Sequence, residues 1–467
     1  MNDIPAPTEA GLIQRAPKLA DSIAGRWQAI VGSGAAWLLR TDWLVLAMIF
    51  MIYCQFPSEL RAFGFKHLKA IVAVVLVVRV LVKRQVYSEV LHAAGLILLY
   101  CAVGAASVLW AEDPSRAEAM ALQIAKGGAL FVLVSASLDR PEAIRRSAWA
   151  VVAAGLLMSL GPIYQRLSGD YDNPLWGFGH GTIAHIWGAI DGYRLSGTLS
   201  DPNSFAEALV PVLALGFGLL WTEQKLALCL CAAGAMVAVT IGVILSYSRA
   251  GALGVAVVAL LVVFAFRPRL RAILIFVALA LAVSPAIDKG YINRMKTFQK
   301  FTPSRHAELL TEPGFKGRVS EVWSGLQMFR DHPLRGVGLG NYEVYYQRYS
   351  RPLGIDRRTE EREAHSLPVE IAAETGILGL AAFGLFLAAV LGRVIRARRL
   401  LLPDSQREAA LVSAVAVALL GYLAVSLTLQ SNYVSLFWIL AAIAHATQRS
   451  FQRSAENVDR HFVAEQR

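Results

Sequence analysis

The chain has 467 residues, of which 56% are hydrophobic and only 17% charged, and its mean hydropathy is +0.49. Ordinary soluble domains carry about 25% charged residues, so this composition excludes a soluble globular protein and points to an integral membrane protein. The net charge of +11 would suit nucleic acid in a soluble chain, but basic loops are the normal cytoplasmic anchor of a membrane protein, and nucleic-acid binding is set aside on that ground.

Residues 1–42 read as a cytoplasmic segment without a cleaved signal peptide, since no basic region leads into a smooth apolar one. The spacing in "GLIQRAPKLADSIAGRWQAIVG" suits an amphipathic helix on the membrane surface. Apolar windows then predict about twelve spans, at 43–59, 68–82, 90–110, 119–138, 147–165, 203–221, 226–245, 251–266, 272–287, 376–394, 409–429 and 433–447. They are rich in Val, Leu, Ala and Gly and lack the polar alternation of a barrel strand, so the fold class is all-α and polytopic. Cys54, Cys101, Cys229 and Cys231 all fall in these apolar runs, as packing residues would.

The connections alternate in charge. Lys83 and Arg84, then Arg140, Arg145 and Arg146, Lys225, Arg267, Arg269 and Arg271, Arg393 to Arg407, and Arg449 and Arg453 of the tail fall on one side, which the positive-inside rule makes cytoplasmic. The other side receives "WAEDPSRAE" at 110–118, the loop from Arg166 to Pro202, "SYSRAG" at 246–251, and the long stretch 288–365. That stretch is basic too, but loops longer than about 60 residues cross regardless of charge. Helical spacing in "RVSEVWSGLQMFRDHP", with Pro333 as a stop, makes it a partly helical outer cap.

Polar residues gather at the outer ends of the spans. Asp201, Pro202 and Asn203 read as a turn and helix cap, and Arg194 just before them stands at the lip of the membrane, where it either snorkels or meets a ligand. Arg249 separates two apolar runs, a costly place for a charge unless it snorkels or holds an anion. Arg318 leads an amphipathic helix, and Gly336, Gly338 and Gly340 make a turn ending in Asn341. With no preceding strand and no Lys-Ser or Lys-Thr pair, that turn is not a nucleotide loop. Ser366 and Pro368 are helix-start residues, which puts His365 at the positive end of a helix, either as a base or as a hydrogen-bonded interfacial histidine. Glu370 and Glu374 share a helix face out of phase with His365, and Gly376 and Gly379 read as close-packing positions.

"His365-Ser366, nine residues, Gly376-x-x-Gly379" resembles the signature of the O-antigen ligase and polymerase superfamily. The order of Arg249 after a "SYS" turn, then Arg318, then "PLRGVGLGN", then His365 is similar to that family's conserved domain over 190–395, flanked by spans at 43–189 and 396–448 and a tail at 449–467. The resemblance implies a GT-C-like membrane glycosyltransferase of the bacterial inner membrane, with its site facing the periplasm. It would move a glycan from undecaprenyl diphosphate, with inversion, onto a hydroxyl of lipid A-core, another glycan repeat or, alternatively, a protein. It further implies His365 as activator of that hydroxyl, Arg249 and Arg318 as diphosphate ligands, Arg194, Asn203, Tyr247 and Asn341 as substrate contacts, and no metal or other cofactor. A polytopic transporter is the rival from another class, against which stands the lack of visible paired half-repeats.

Overall fold

The computed structural model describes residues 43–55, 68–82, 87–187, 190–267, 269–296, 313–356, 359–402, 405–429 and 435–465. The expected amphipathic helix within 1–42 lies outside the described residues. In chain order the elements are α1 (Trp43–Tyr53), α2 (Leu68–Val82), α3 (Ser88–Ala106), α4 (Pro114–Ser137), α5 (Pro141–Ser168), β1 (Gly181–Trp187), β2 (Ile190–Leu195), α6 (Pro202–Thr222), α7 (Leu226–Leu245) and α8 (Arg249–Ala265). They continue with α9 (Arg269–Val283), α10 (Lys289–Lys296), α11 (Pro313–Asp331), α12 (Tyr342–Leu353), α13 (Leu367–Leu401), α14 (Gln406–Ser426) and α15 (Ser435–Glu465).

Among the described residues, eight helices are long and apolar enough to cross a membrane, namely α3 to α7, α9, α13 and α14, while α1 and α8 are shorter apolar helices. The chain is therefore a multi-pass, helical membrane protein. The sequence predicts about twelve spans, against eight helices of spanning length among the described residues, and it presents 166–202 as a loop, where an antiparallel hairpin pairs Thr182 with Arg194 and Ile183 with Tyr193. Several helices start where a short polar side chain can occupy their free N–H groups. Asp113 accepts from Ser115 and Arg116 ahead of Pro114, and Asp201 accepts from Ser204 ahead of Pro202.

The centre of the bundle is α6, buried along most of its length. Its Phe217 ring lies 5.3 Å from Phe276 and 5.0 Å from Phe266, and small residues let its neighbours approach. A Cβ on Gly218 would lie 2.3 Å from that of Ala414 on α14, and one on Gly254 of α8 would lie 2.3 Å from Val425. At one end of the bundle sit the basic connections, where Arg398 donates to Ser413 and to the Ala265 carbonyl. The hairpin and α10 to α12 belong to the other end, along with the N-termini of α6, α8 and α13.

The helix α13 is broken within its apolar run. Gly376 adopts φ 63° and ψ −162°, which frees backbone groups on both sides of it. The turn after α11 takes them up: Val337 N donates to Ala373 O at 2.9 Å, Gly338 N to Glu374 O at 2.9 Å, and Ile377 N to Pro333 O at 2.8 Å. A broken helix at membrane depth is tolerated only where protein satisfies its backbone, and here the glycine turn does so. Asn341 locks the other side of that turn. Buried and fully engaged, its side chain accepts from Asp113 N at 2.7 Å and donates to the Asp113 and Leu339 carbonyls at 3.0 Å each.

Candidate active site

His365 lies one residue before the N-cap of α13 and has φ +45°. For a residue other than glycine that left-handed conformation costs about 1–2 kcal/mol, so the surroundings must hold it. They do so through Nδ1, which is 3.1 Å from Glu321 Oε2 and 3.1 Å from the Glu363 carbonyl. Both neighbours are acceptors, so Nδ1 carries the proton and Nε2 is the nitrogen able to take another. The imidazole keeps 29% of its side-chain surface exposed, whereas Glu321 has none.

Glu321 is fixed from several directions. Arg362 Nε donates to its Oε1 at 2.5 Å, and the Tyr342 hydroxyl donates to its main-chain carbonyl at 2.5 Å. Beneath it Met328, Val337, Tyr342, Tyr346, Ala364 and Ala373 form a small separate core that binds α11 to α12 and α13. Burial alone would raise the carboxyl, but His365 and Arg362 outweigh it and hold Glu321 below the usual range. Burial likewise depresses His365, and the hydrogen bond and charge of Glu321 overcome that and hold the imidazole above its ordinary value. Glu321 and Arg362, which stand beside the histidine, are absent from the residues expected from the sequence. The available signal was that Glu321 lies three residues after Arg318, on the same face of α11.

Arg194, at the end of β2, is held on two sides. Its Nε donates to the Ser246 carbonyl at 2.8 Å and its Nη2 to Asn203 Oδ1 at 2.8 Å, and it is 9% exposed. Asn203 Oδ1 also accepts from Ser248 Oγ at 3.1 Å, so one amide ties the N-terminus of α6 to that of α8. Ser248 is the N-cap of α8 and Arg249 is its first residue. Arg249 Nη2 would lie 3.7 Å from a Cβ on Gly314, which places it beside the first turn of α11.

Electrostatics join these groups. Burial chiefly, with the positive charges of Arg249 and Arg318 adding to it against the pull of Asp201, pushes Arg194 down to about 10. It is still a cation at neutral pH, and the Arg318 charge also opposes protonation of His365. Mutually repelling cations beside helix N-termini, whose free N–H groups carry partial positive charge, give this end of the bundle a positive potential. The structure thus brings together Arg194, Asn203, Arg249, Arg318 and His365. Tyr247, between Arg194's carbonyl partner and the α8 cap, has φ +50° and donates its hydroxyl to Asp288. Asn341 instead braces the glycine turn, and Glu374 accepts from Tyr342 N at 3.1 Å rather than from the histidine. Among the described residues no group of three or more His, Cys, Asp or Glu is placed to hold a metal ion.

Residues 233–384 match the family model described as O-antigen ligase. The chain carries an O-antigen ligase domain. Arg249, Arg318 and His365 lie within that domain, while Arg194 and Asn203 precede it and reach it through the Ser246 carbonyl and Ser248. No curated protein matches the chain. The match implies, in general terms, an O-antigen ligase-type enzyme handling glycan and lipid-linked substrates.

The coupling between Glu321 and His365 can be read without any assay of this ligase domain's activity. In Glu321→Gln the carboxylate that favours the imidazolium is gone, and burial and the Arg318 charge remain. His365 is expected to titrate at lower pH than in the wild type, followed through its ring protons by NMR. An unchanged titration would show that Glu321 does not govern the histidine.

Proposed function

We propose that this protein transfers a glycan from undecaprenyl diphosphate to an acceptor hydroxyl, at a site facing the periplasm. The observation that carries this reading is the convergence of three arginines with a histidine whose Nδ1 is occupied and whose Nε2 can accept a proton, in an O-antigen ligase domain.

Arg249 and Arg318 hold the diphosphate through planar, charge-assisted hydrogen bonds and stabilise the charge that grows on it as it departs. Arg194 adds to that field while keeping the Ser246 turn and Asn203 in place. The acceptor hydroxyl gives its proton to His365 Nε2, its oxygen forms a bond to the anomeric carbon, and the bond from that carbon to the diphosphate oxygen breaks. A single displacement inverts the configuration at that carbon. Glu321 keeps the tautomer and stabilises the imidazolium that forms, and the arginines supply the positive charge without a metal ion.

Purified protein in lipid nanodiscs, incubated with a lipid-linked oligosaccharide and in turn with lipid A-core, a second lipid-linked repeat and a Ser- or Thr-bearing peptide, tests the reading. Transfer to one acceptor, resistant to chelation, is the expected result and assigns the acceptor class. Uptake of the lipid-linked glycan without any new glycosidic bond would support a transporter instead.

Arg249→Lys keeps the charge and loses the fork. We expect kcat to fall on the order of 10²-fold, as when one transition-state donor is removed, with product formation from labelled donor as the readout. A wild-type rate in this variant would remove Arg249 from the diphosphate site.

A further inference from the structure

We propose that the cavity between the end of α5, the hairpin and the Tyr247 turn is a subsite for a neutral pyranose ring of the donor glycan, a proposal that rests on the function given above. The cavity measures about 260 Å³ and is lined by Arg166, Tyr171, Tyr193, Leu245 and Tyr247 among others. Ligand pockets usually span roughly 300–1,000 Å³, so this one fits a small ring and not an acyl chain or a folded peptide.

Its chemistry favours a sugar over a phosphate. Tyr171 and Tyr193 stack with centroids 4.5 Å apart and planes 15° from parallel, giving a rigid aromatic wall with polar tips. A π face carries negative potential and suits the electropositive C–H face of a pyranose. Around the wall stand groups that both donate and accept. Arg166 Nη1 donates to the Tyr171 hydroxyl at 3.2 Å and Nη2 lies 3.8 Å from Asp288 Oδ2. The Tyr247 hydroxyl donates to the same carboxylate, and the Tyr193 hydroxyl lies 3.5 Å from Asp172 Oδ1. Among the described lining residues the cation is Arg166, and it is met by the Asp288 carboxylate, which disfavours a second anion and leaves hydrogen-bonding capacity for hydroxyl groups.

Position links the cavity to the arginine cluster. Tyr193 and Arg194 are consecutive on β2, so their side chains leave opposite faces of the strand. Tyr247 of the cavity follows Ser246, whose carbonyl Arg194 holds. One strand and one turn therefore carry both an anion face and a neutral, hydroxyl-binding face, as a glycosyl diphosphate requires.

The test uses the full-length protein in nanodiscs and two probes: the oligosaccharide repeat released by mild acid from the host's lipid-linked glycan, and undecaprenyl diphosphate carrying no sugar. Saturation-transfer NMR is expected to show the free oligosaccharide bound to the wild type. Tyr171→Ala and Tyr193→Ala should weaken that binding at least tenfold and leave the affinity for undecaprenyl diphosphate unchanged, with Arg249→Ala doing the reverse. Tyr193→Phe, which keeps the ring, should retain most of the sugar affinity and so separates recognition from a folding defect. A wild type that binds no oligosaccharide, tyrosine variants that bind it normally, or tyrosine variants that lose undecaprenyl diphosphate as well would each overturn the subsite. Tyrosine-dependent sugar binding in a protein that forms no glycosidic bond would leave the subsite standing and overturn the transferase reading.

Discussion

His365→Asn is expected to lower kcat for glycan transfer by about 10²–10⁴-fold, the usual worth of a general base, with the KM for the lipid-linked donor and the thermal midpoint nearly unchanged. Asparagine is the informative replacement because position 365 has φ +45°, and Asn tolerates the left-handed region better than most residues. Its Nδ2 can also donate to Glu321 and to the Glu363 carbonyl, the two acceptors that hold Nδ1 in the native protein. What it lacks is a second ring nitrogen to receive the acceptor's proton. The same chemistry fixes the sign of the pH dependence. The base is active when neutral, so the wild-type rate climbs as pH rises through the His365 pKa. That pKa lies above the ordinary value because Glu321 outweighs burial. The acid limb of kcat/KM should therefore sit at a higher pH than for a free histidine, should move down in Glu321→Gln, and should vanish from the residual rate of His365→Asn. Full transfer by His365→Asn at any pH would assign the base elsewhere.

The helices were legible because burying apolar surface in lipid needs about twenty residues of one character: every expected window overlaps a helix, and eight of them overlap one long and apolar enough to cross a membrane. The cap residues Asp201 and Ser366 were legible for a similar local reason. Other features were fixed by contacts that join distant segments, which spacing cannot show. Glu321 becomes the partner of His365 only because α11 folds back beside the start of α13. Asn341, which the resemblance implies as a substrate contact, has its amide engaged with residues 113 and 339. The hairpin was hidden by a different effect. In "GTIAHIW" and "IDGYRL" the strands are short and, among the described residues, form a two-stranded sheet, and two-stranded hairpins draw their stability from what they pack against. Here Arg194 supplies part of that anchor.

The glycines of the family signature carry the second large effect. Gly376→Ala is expected to destabilise the protein by more than about 3 kcal/mol and to abolish transfer although no group near the reacting atoms is altered. At φ 63° and ψ −162° the residue occupies a region open essentially to glycine alone. A Cβ there would also lie 2.4 Å from the carbonyl carbon and oxygen of Leu334. That obstacle is backbone, pinned by the bonds from Val337 and Gly338 to Ala373 and Glu374 and by the bond from Ile377 to Pro333, so it cannot swing aside as a side chain would. Moving the turn would disturb Val337 and Tyr342, which underlie Glu321, and so the histidine. Gly336→Ala should give the same defect from the other side, since its Cβ would lie 2.2 Å from the Glu374 carbonyl carbon. Because both changes break one contact, the double variant should be scarcely worse than either alone. Gly384→Ala, on the same helix with nothing within 4 Å of the new Cβ, should leave thermal unfolding and transfer at wild-type levels. A Gly376→Ala protein that unfolds at the wild-type temperature would mean that the helix break is not held by this backbone contact.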